Sequence, residues 1–292
     1  MVAFQTNSSQ AAVTHTSETD DASSAPIGVF DSGIGGLSVL KYIRACLPHE
    51  QLLYFADSGY APYGGRSEDE IVARSLAIAE FLMQYRMKAL VVACNTATAA
   101  AIKALRERYP ALPVVGVEPG LKPAAALTRT GSVGVLATER TLASAKFNLL
   151  RDQISAATNV RFLPQACKGL ADQVEKGELH SAATADLVHR YVAPLLEEGV
   201  DTLVLGCTHY PFVRQLIEQI VDRATSRPVA IVDTGEPVAR QLMRLLAERG
   251  LLRTDGAGTV TGFTTGSETA LAGAFSRLLD LRPPVIQVAA SA

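Results

Sequence analysis

Two cysteines stand at matched places in this chain. Ala89-Leu-Val-Val-Ala-Cys94-Asn95-Thr96 and Thr202-Leu-Val-Leu-Gly-Cys207-Thr208-His209 are short apolar runs that end in a thiol and small polar residues. Each run has the length of a buried strand and leads into a helical pattern. The position just past the carboxyl end of a strand is where ligands meet an open parallel sheet. A thiol, with a reference pKa of about 8.5, can act there as base or acid after modest tuning. Cys207-Thr208-His209 is the sharpest local cluster and allows three chemistries. Two thiolates, the imidazole and Asp31 make a zinc set; His209 could activate a cysteine as nucleophile; two opposed thiols could act as acid and base. The duplication favours the third, because zinc needs its ligands on one side, whereas paired half-sites put one thiol on each side of a substrate. One thiolate would take a weakly acidic hydrogen from a chiral carbon while the other thiol protonates the opposite face, inverting the centre. Asp31 would assist Cys94 and His209 would assist Cys207. The Ser, Thr and Asn residues at the strand ends would stabilise the carbanion.

The elements that must position these thiols also repeat. Ile27-Gly-Val-Phe-Asp31-Ser32 resembles Val133-Gly-Val-Leu-Ala137-Thr138; 62 residues separate Ser32 from Cys94, and 69 separate Thr138 from Cys207. This order predicts two pseudo-symmetric α/β domains with mainly parallel sheets and the active site in the interdomain cleft. Strands are expected at 27–30, 51–56, 89–93, 114–117, 132–136, 161–164, 202–205 and 229–232. The expected boundaries are a disordered tail at 1–25, a first domain at 26–121 plus 231–292, and a second at 122–230. Ser67-Glu-Asp-Glu70 reads as a capping box opening a helix over 71–85, and Pro110 stops the helix that follows Thr96.

Asp31-Ser-Gly-Ile-Gly-Gly-Leu-Ser38 looks like a dinucleotide fingerprint but lacks the last glycine, which Ser38 replaces. It reads instead as a tight turn feeding a helix amino terminus, a place that favours a carboxylate or phosphate. Asp31 could equally serve to cap that helix. Tyr60-Ala-Pro-Tyr-Gly64 is a turn-rich loop able to present amides to a small ligand.

With 292 residues, 48% hydrophobic and 19% charged, the chain has an ordinary globular composition. Its net charge of −2 gives no electrostatic case for nucleic acid or a membrane surface. No apolar stretch nears the roughly 20 residues that span a bilayer. The first basic residue is Lys41, so the amino terminus lacks the cationic region of a secretory or mitochondrial signal, and a cytoplasmic location is expected. The four cysteines form no C-x-x-C pair and read as free thiols.

In combination, Asp31-Ser-Gly-x-Gly-Gly, Pro62-Tyr-Gly64, Ala93-Cys-Asn-Thr-Ala97, Thr138-x-x-Thr141 and Gly206-Cys-Thr-His-Tyr-Pro211 resemble the glutamate racemases of the aspartate/glutamate racemase superfamily. The likeness spans about residues 26–240. It implies an isomerase that converts L-glutamate to D-glutamate for bacterial peptidoglycan, with no cofactor and no metal. Carried over by position, Cys94 and Cys207 match the catalytic thiols, and Asp31, His209 and Glu175 match their assisting groups. Ser32, Pro62, Tyr63, Gly64, Asn95, Thr96, Thr138, Thr141 and Thr208 match substrate contacts. A superfamily relative acting on aspartate is the nearest rival, and Cys207-Thr-His with the Pro62–Gly64 loop favours glutamate. The resemblance also brings partners: an activating UDP-muramic acid precursor, linked to the tail before Pro26, an oligomeric assembly, and DNA gyrase. The charge argues against direct DNA binding, and no sequence feature speaks for contact with gyrase itself.

Overall fold

The computed structural model describes residues 3–6 and 22–291. Among them eleven strands follow in chain order: β1 (Ala3–Thr6), β2 (Ile27–Asp31), β3 (Gln51–Ala56), β4 (Ala89–Val92), β5 (Val114–Gly116), β6 (Ser132–Ala137), β7 (Arg161–Ala166), β8 (Thr202–Leu205), β9 (Ala230–Val232), β10 (Thr259–Thr264) and β11 (Val285–Ser291). They fall into two compact units, Met1–Val117 with Gly235–Ala292, and Glu118–Thr234.

The first unit holds a sheet in the order β1-β11-β10-β3-β2-β4-β5, parallel except for the antiparallel β1–β11 pair. Its core is the apolar packing of Phe30, Phe55, Phe81, Leu82, Val92 and Phe263 between sheet and helices. The second unit holds a fully parallel sheet in the order β7-β6-β8-β9, with Val133, Val135, Phe147, Phe162 and Val204 in its core. The architecture is therefore α/β with two mainly parallel sheets.

The internal repeat is a repeat of topology and of register. The order β3-β2-β4-β5 in one unit is matched strand for strand by β7-β6-β8-β9 in the other. Gly28 lies opposite Leu90 on the β2–β4 ladder, as Gly134 lies opposite Leu203 on the β6–β8 ladder. The glycine recurs because there is no room for a side chain. A Cβ on Gly28 would meet the Met87 sulfur at 2.6 Å, and one on Gly134 would meet Leu195 Cδ1 at 2.8 Å.

Three strands lie outside those read from the sequence. β10 and β11 extend the first sheet, and β1 adds to its edge. β1 falls inside the segment expected to be a disordered tail. Phe4 explains the difference: it is buried against Phe55 and Phe81, which anchors the strand on the apolar core. Ala22–Ser24, also expected to be disordered, form a 3₁₀ turn, and residues 1–2 and 7–21 of that expectation lie outside the described residues. The capping box forms as read, with Ser67 Oγ accepting from the Glu70 amide at 3.3 Å and Glu70 Oε2 accepting from the Ser67 amide at 2.9 Å. The helix it opens runs Glu68–Met83.

Candidate active site

In the first unit, Cys94 joins β4 to the helix Asn95–Arg108 and is its N-cap. The Ala97 amide donates to Cys94 Sγ at 3.5 Å, so the sulfur takes one of the amides that a helix start leaves open. The thiol also points to Ser32 Oγ at 3.8 Å, across the β2–β4 ladder. A sulfur so placed meets the positive end of the helix dipole. Thr98 fixes the helix to the sheet, donating to the Val92 carbonyl and accepting from the Val117 amide, both at 3.1 Å. Asn95 and Thr96 occupy the first turn and are buried. Among the described residues, Asn95 Nδ2 has no protein hydrogen-bond partner.

Asp31 ends β2 and is fully buried. Its Oδ2 accepts from the Gly36 amide at 2.8 Å, while Tyr54 donates its hydroxyl to the Gly33 carbonyl at 2.7 Å. Together they pin the turn that leads into the helix Leu37–Cys46. Asp31 thus anchors the turn at the helix's N-cap residue, Gly36, and does not itself cap the helix.

In the second unit, Cys207 holds the equivalent position, two residues past the end of β8. His209 Nδ1 lies 3.6 Å from Cys207 Sγ, and His209 Nε2 lies 2.6 Å from Glu175 Oε1. Glu175 ends the short helix Leu170–Glu175. Burial pulls the His209 pKa down, but hydrogen bonding and charge from Cys207, then from Glu175, outweigh it and hold the imidazole well above its ordinary value. The three side chains form a path along which a proton can be held beside the sulfur. Thr208 is buried next to Cys207. Thr138 caps the helix Glu139–Ala143, accepting from the Thr141 amide at 3.2 Å, and the two hydroxyls lie 2.9 Å apart.

Pro62, Tyr63 and Gly64 lie on the loop after β3, where the Ala61–Pro62 bond is cis and Tyr63 begins a single 3₁₀ turn. Tyr63 is buried, with its hydroxyl 2.5 Å from Asp57 Oδ2. Asp57, its partner Arg74, and Thr265 were not read from the sequence. The rule that found the cysteines could have found Asp57, which directly follows β3. Cys167 is a third buried thiol in the second unit; burial, then the nearby Cys207, push its pKa far up and leave it an uncharged core group. Among the described residues, no cluster of three or more His, Cys, Asp and Glu side chains could hold a metal ion, and no helix is long and apolar enough to cross a membrane.

The two buried thiols thus stand at equivalent strand ends, one at a helix start and one beside His209 and Glu175. Residues 37–242 match the Asp/Glu/Hydantoin racemase family, and the chain belongs to it. The glutamate racemase of Ectopseudomonas mendocina is 54% identical over 84% of this chain and 90% of its own length. Among solved structures, a glutamate racemase isoform from Bacillus anthracis is 35% identical, with a TM-score of 0.79 over 89% of this chain and 96% of the other. The Escherichia coli glutamate racemase, in complex with L-glutamate and the activator UDP-MurNAc-ala, is 31% identical, with a TM-score of 0.78 over 91% of this chain and 99% of the other. Within the family the chain groups with these glutamate racemases and is an isomerase of that kind.

Proposed function

We propose that racemisation proceeds by two bases, with Cys94 and Cys207 acting on opposite faces of the glutamate α-carbon. One sulfur, as thiolate, takes the α-hydrogen; the electron pair stays on the α-carbon, delocalised into the adjacent carboxylate. The other sulfur, as thiol, gives its proton to the opposite face. The two sulfurs end with their protonation states exchanged, so solvent must restore them before the next turnover in the same direction.

The observation that carries this reading is the equivalent placement of the two buried thiols, each two residues beyond the strand that pairs with the repeated Gly-Val strand. His209, held by Glu175, keeps a proton beside Cys207. Cys94 sits at the helix start beside Ser32, with Asp31 shaping the neighbouring turn. Asn95, with a buried amide nitrogen lacking a protein partner, is suited to a substrate carboxylate. Ser32, Thr96, Thr138, Thr141, Thr208 and the loop Pro62–Gly64 complete the proposed substrate contacts. The proposal extends to D-glutamate supply for peptidoglycan in the cytoplasm without a cofactor, and to activation by a UDP-muramic acid precursor, which the Escherichia coli racemase solved with UDP-MurNAc-ala supports.

Circular-dichroism racemisation of L-glutamate and, separately, L-aspartate in chelator-treated buffer tests this reading. Turnover of glutamate alone is the expected result. Turnover of aspartate would keep the mechanism and change the substrate. Silence on both, with and without the muramic precursor, would overturn it.

A further inference from the structure

The loop that carries Pro62, Tyr63 and Gly64 has little apolar surface of its own to hold it. Gly59, Tyr60 and Pro62 are exposed, and Tyr63 is its one buried side chain. What holds it is a carboxylate. Asp57, fully buried at the end of β3, accepts four hydrogen bonds from three separate parts of the unit. Its Oδ2 takes Arg74 Nε at 2.6 Å and the Tyr63 hydroxyl at 2.5 Å. Its Oδ1 takes Arg74 Nη2 at 2.6 Å and Thr265 Oγ1 at 2.8 Å. Thr265 Oγ1 in turn accepts from the Gly59 amide at 3.0 Å. The loop is thus tied at Gly59 through Thr265 and at Tyr63 directly, while the Arg74 guanidinium lies 3.3 Å from the Tyr60 ring centroid. Burial first, then the charge of Asp57, keeps the Tyr63 phenol protonated and able to donate.

A buried carboxylate is a poor way to stabilise a fold, since an apolar residue of similar size serves as well or better. Its advantage is directional: four donors can meet one carboxylate in only one arrangement. We propose that Asp57 is a positioning residue for the substrate loop, setting the backbone of Pro62–Gly64 through the Tyr63 and Thr265–Gly59 ties before substrate arrives. The proposal rests on the racemase reading for what the loop contacts. Ordering bought in advance lowers the entropy lost on binding, so its loss falls on KM rather than on proton transfer.

Thr265 offers the cleanest test, because Thr265→Val keeps the shape and removes only the bridging hydroxyl, and Thr265→Ser restores it. Thr265→Val is expected to raise KM for glutamate about fivefold, the equivalent of one net hydrogen bond, with kcat within about twofold of the parent. Thr265→Ser should return KM to the parent value. Amide exchange of the segment 58–66 should quicken about tenfold in Thr265→Val, while the helix Glu268–Leu279 exchanges as before. Unchanged exchange in 58–66 would overturn the proposal whether or not glutamate is turned over. So would an unchanged KM, a loss confined to kcat, or failure of serine to rescue. Absence of turnover by the parent enzyme would instead count against the racemase reading, with the exchange result still deciding the clamp.

Discussion

Replacing Glu175 with Gln isolates the His209 path, because the side chain keeps its shape and loses its charge. The contact to be weakened is His209 Nε2 to Glu175 Oε1 at 2.6 Å. A charge-assisted hydrogen bond contributes about 1.5–3 kcal/mol when buried. The Glu175 side chain is 22% exposed, so water screens part of that, and about 1–1.5 kcal/mol is a fair expectation. That predicts a fall of roughly 5–10-fold in kcat/KM. The pH dependence has a definite sign. His209 is held above its ordinary value by Cys207 and Glu175 against the opposing effect of burial. Removing the carboxylate charge lets its proton leave at lower pH, so the alkaline limb of the kcat/KM profile moves toward acid. Circular dichroism started from L- and from D-glutamate measures both directions. Because the two enantiomers are equal in free energy, kcat/KM must fall equally in each, whereas kcat and KM need not. An alkaline limb that stays in place in Glu175→Gln, or a variant as fast as the parent, would refute the His209 relay.

Cys94→Ala and Cys207→Ala are each expected to abolish racemisation with the far-ultraviolet spectrum unchanged, and full turnover by either would end the two-base mechanism. Lys88→Met should cost about 3–5 kcal/mol in chemical denaturation, because it leaves Glu50, its fully buried partner at 2.6 Å, without its counter-charge; an unchanged midpoint would show that the pair does not support the fold. Gly134→Ala should destabilise by about 1–3 kcal/mol, since its Cβ would meet Leu195 and Leu203 inside 3 Å; the same assay checks it.

The half-sites were legible because their signals are local. An apolar run, a cysteine at its end and a helix behind it occupy about ten consecutive residues, and the repeat of Gly-Val marked β2 and β6 as matching strands of the two units. β10 was not legible. Thr259-Val-Thr-Gly-Phe-Thr264 carries three threonines and a glycine, yet it lies between β3 and β11, where Gly262 makes room for Phe275 and Val285. β1 hid in a segment of polar composition, where Phe4 packs against Phe55 and Phe81. The Asp57 clamp was hidden for a different reason: Arg74 lies 17 residues from Asp57 and Thr265 lies 208 away, a separation at which no periodicity or spacing carries information. Glu175 could be named only through the family likeness, since nothing about Val174-Glu-Lys-Gly177 points to a histidine 34 residues on.

The use of two thiols on opposite faces is tested most directly by following the α-hydrogen when L-glutamate is racemised in deuterium oxide. At early times the D-glutamate formed should carry deuterium at the α-carbon in every molecule, while unreacted L-glutamate still carries hydrogen. D-glutamate that retains the substrate's own hydrogen would mean that one group both removes and returns it, which contradicts the two-thiol mechanism.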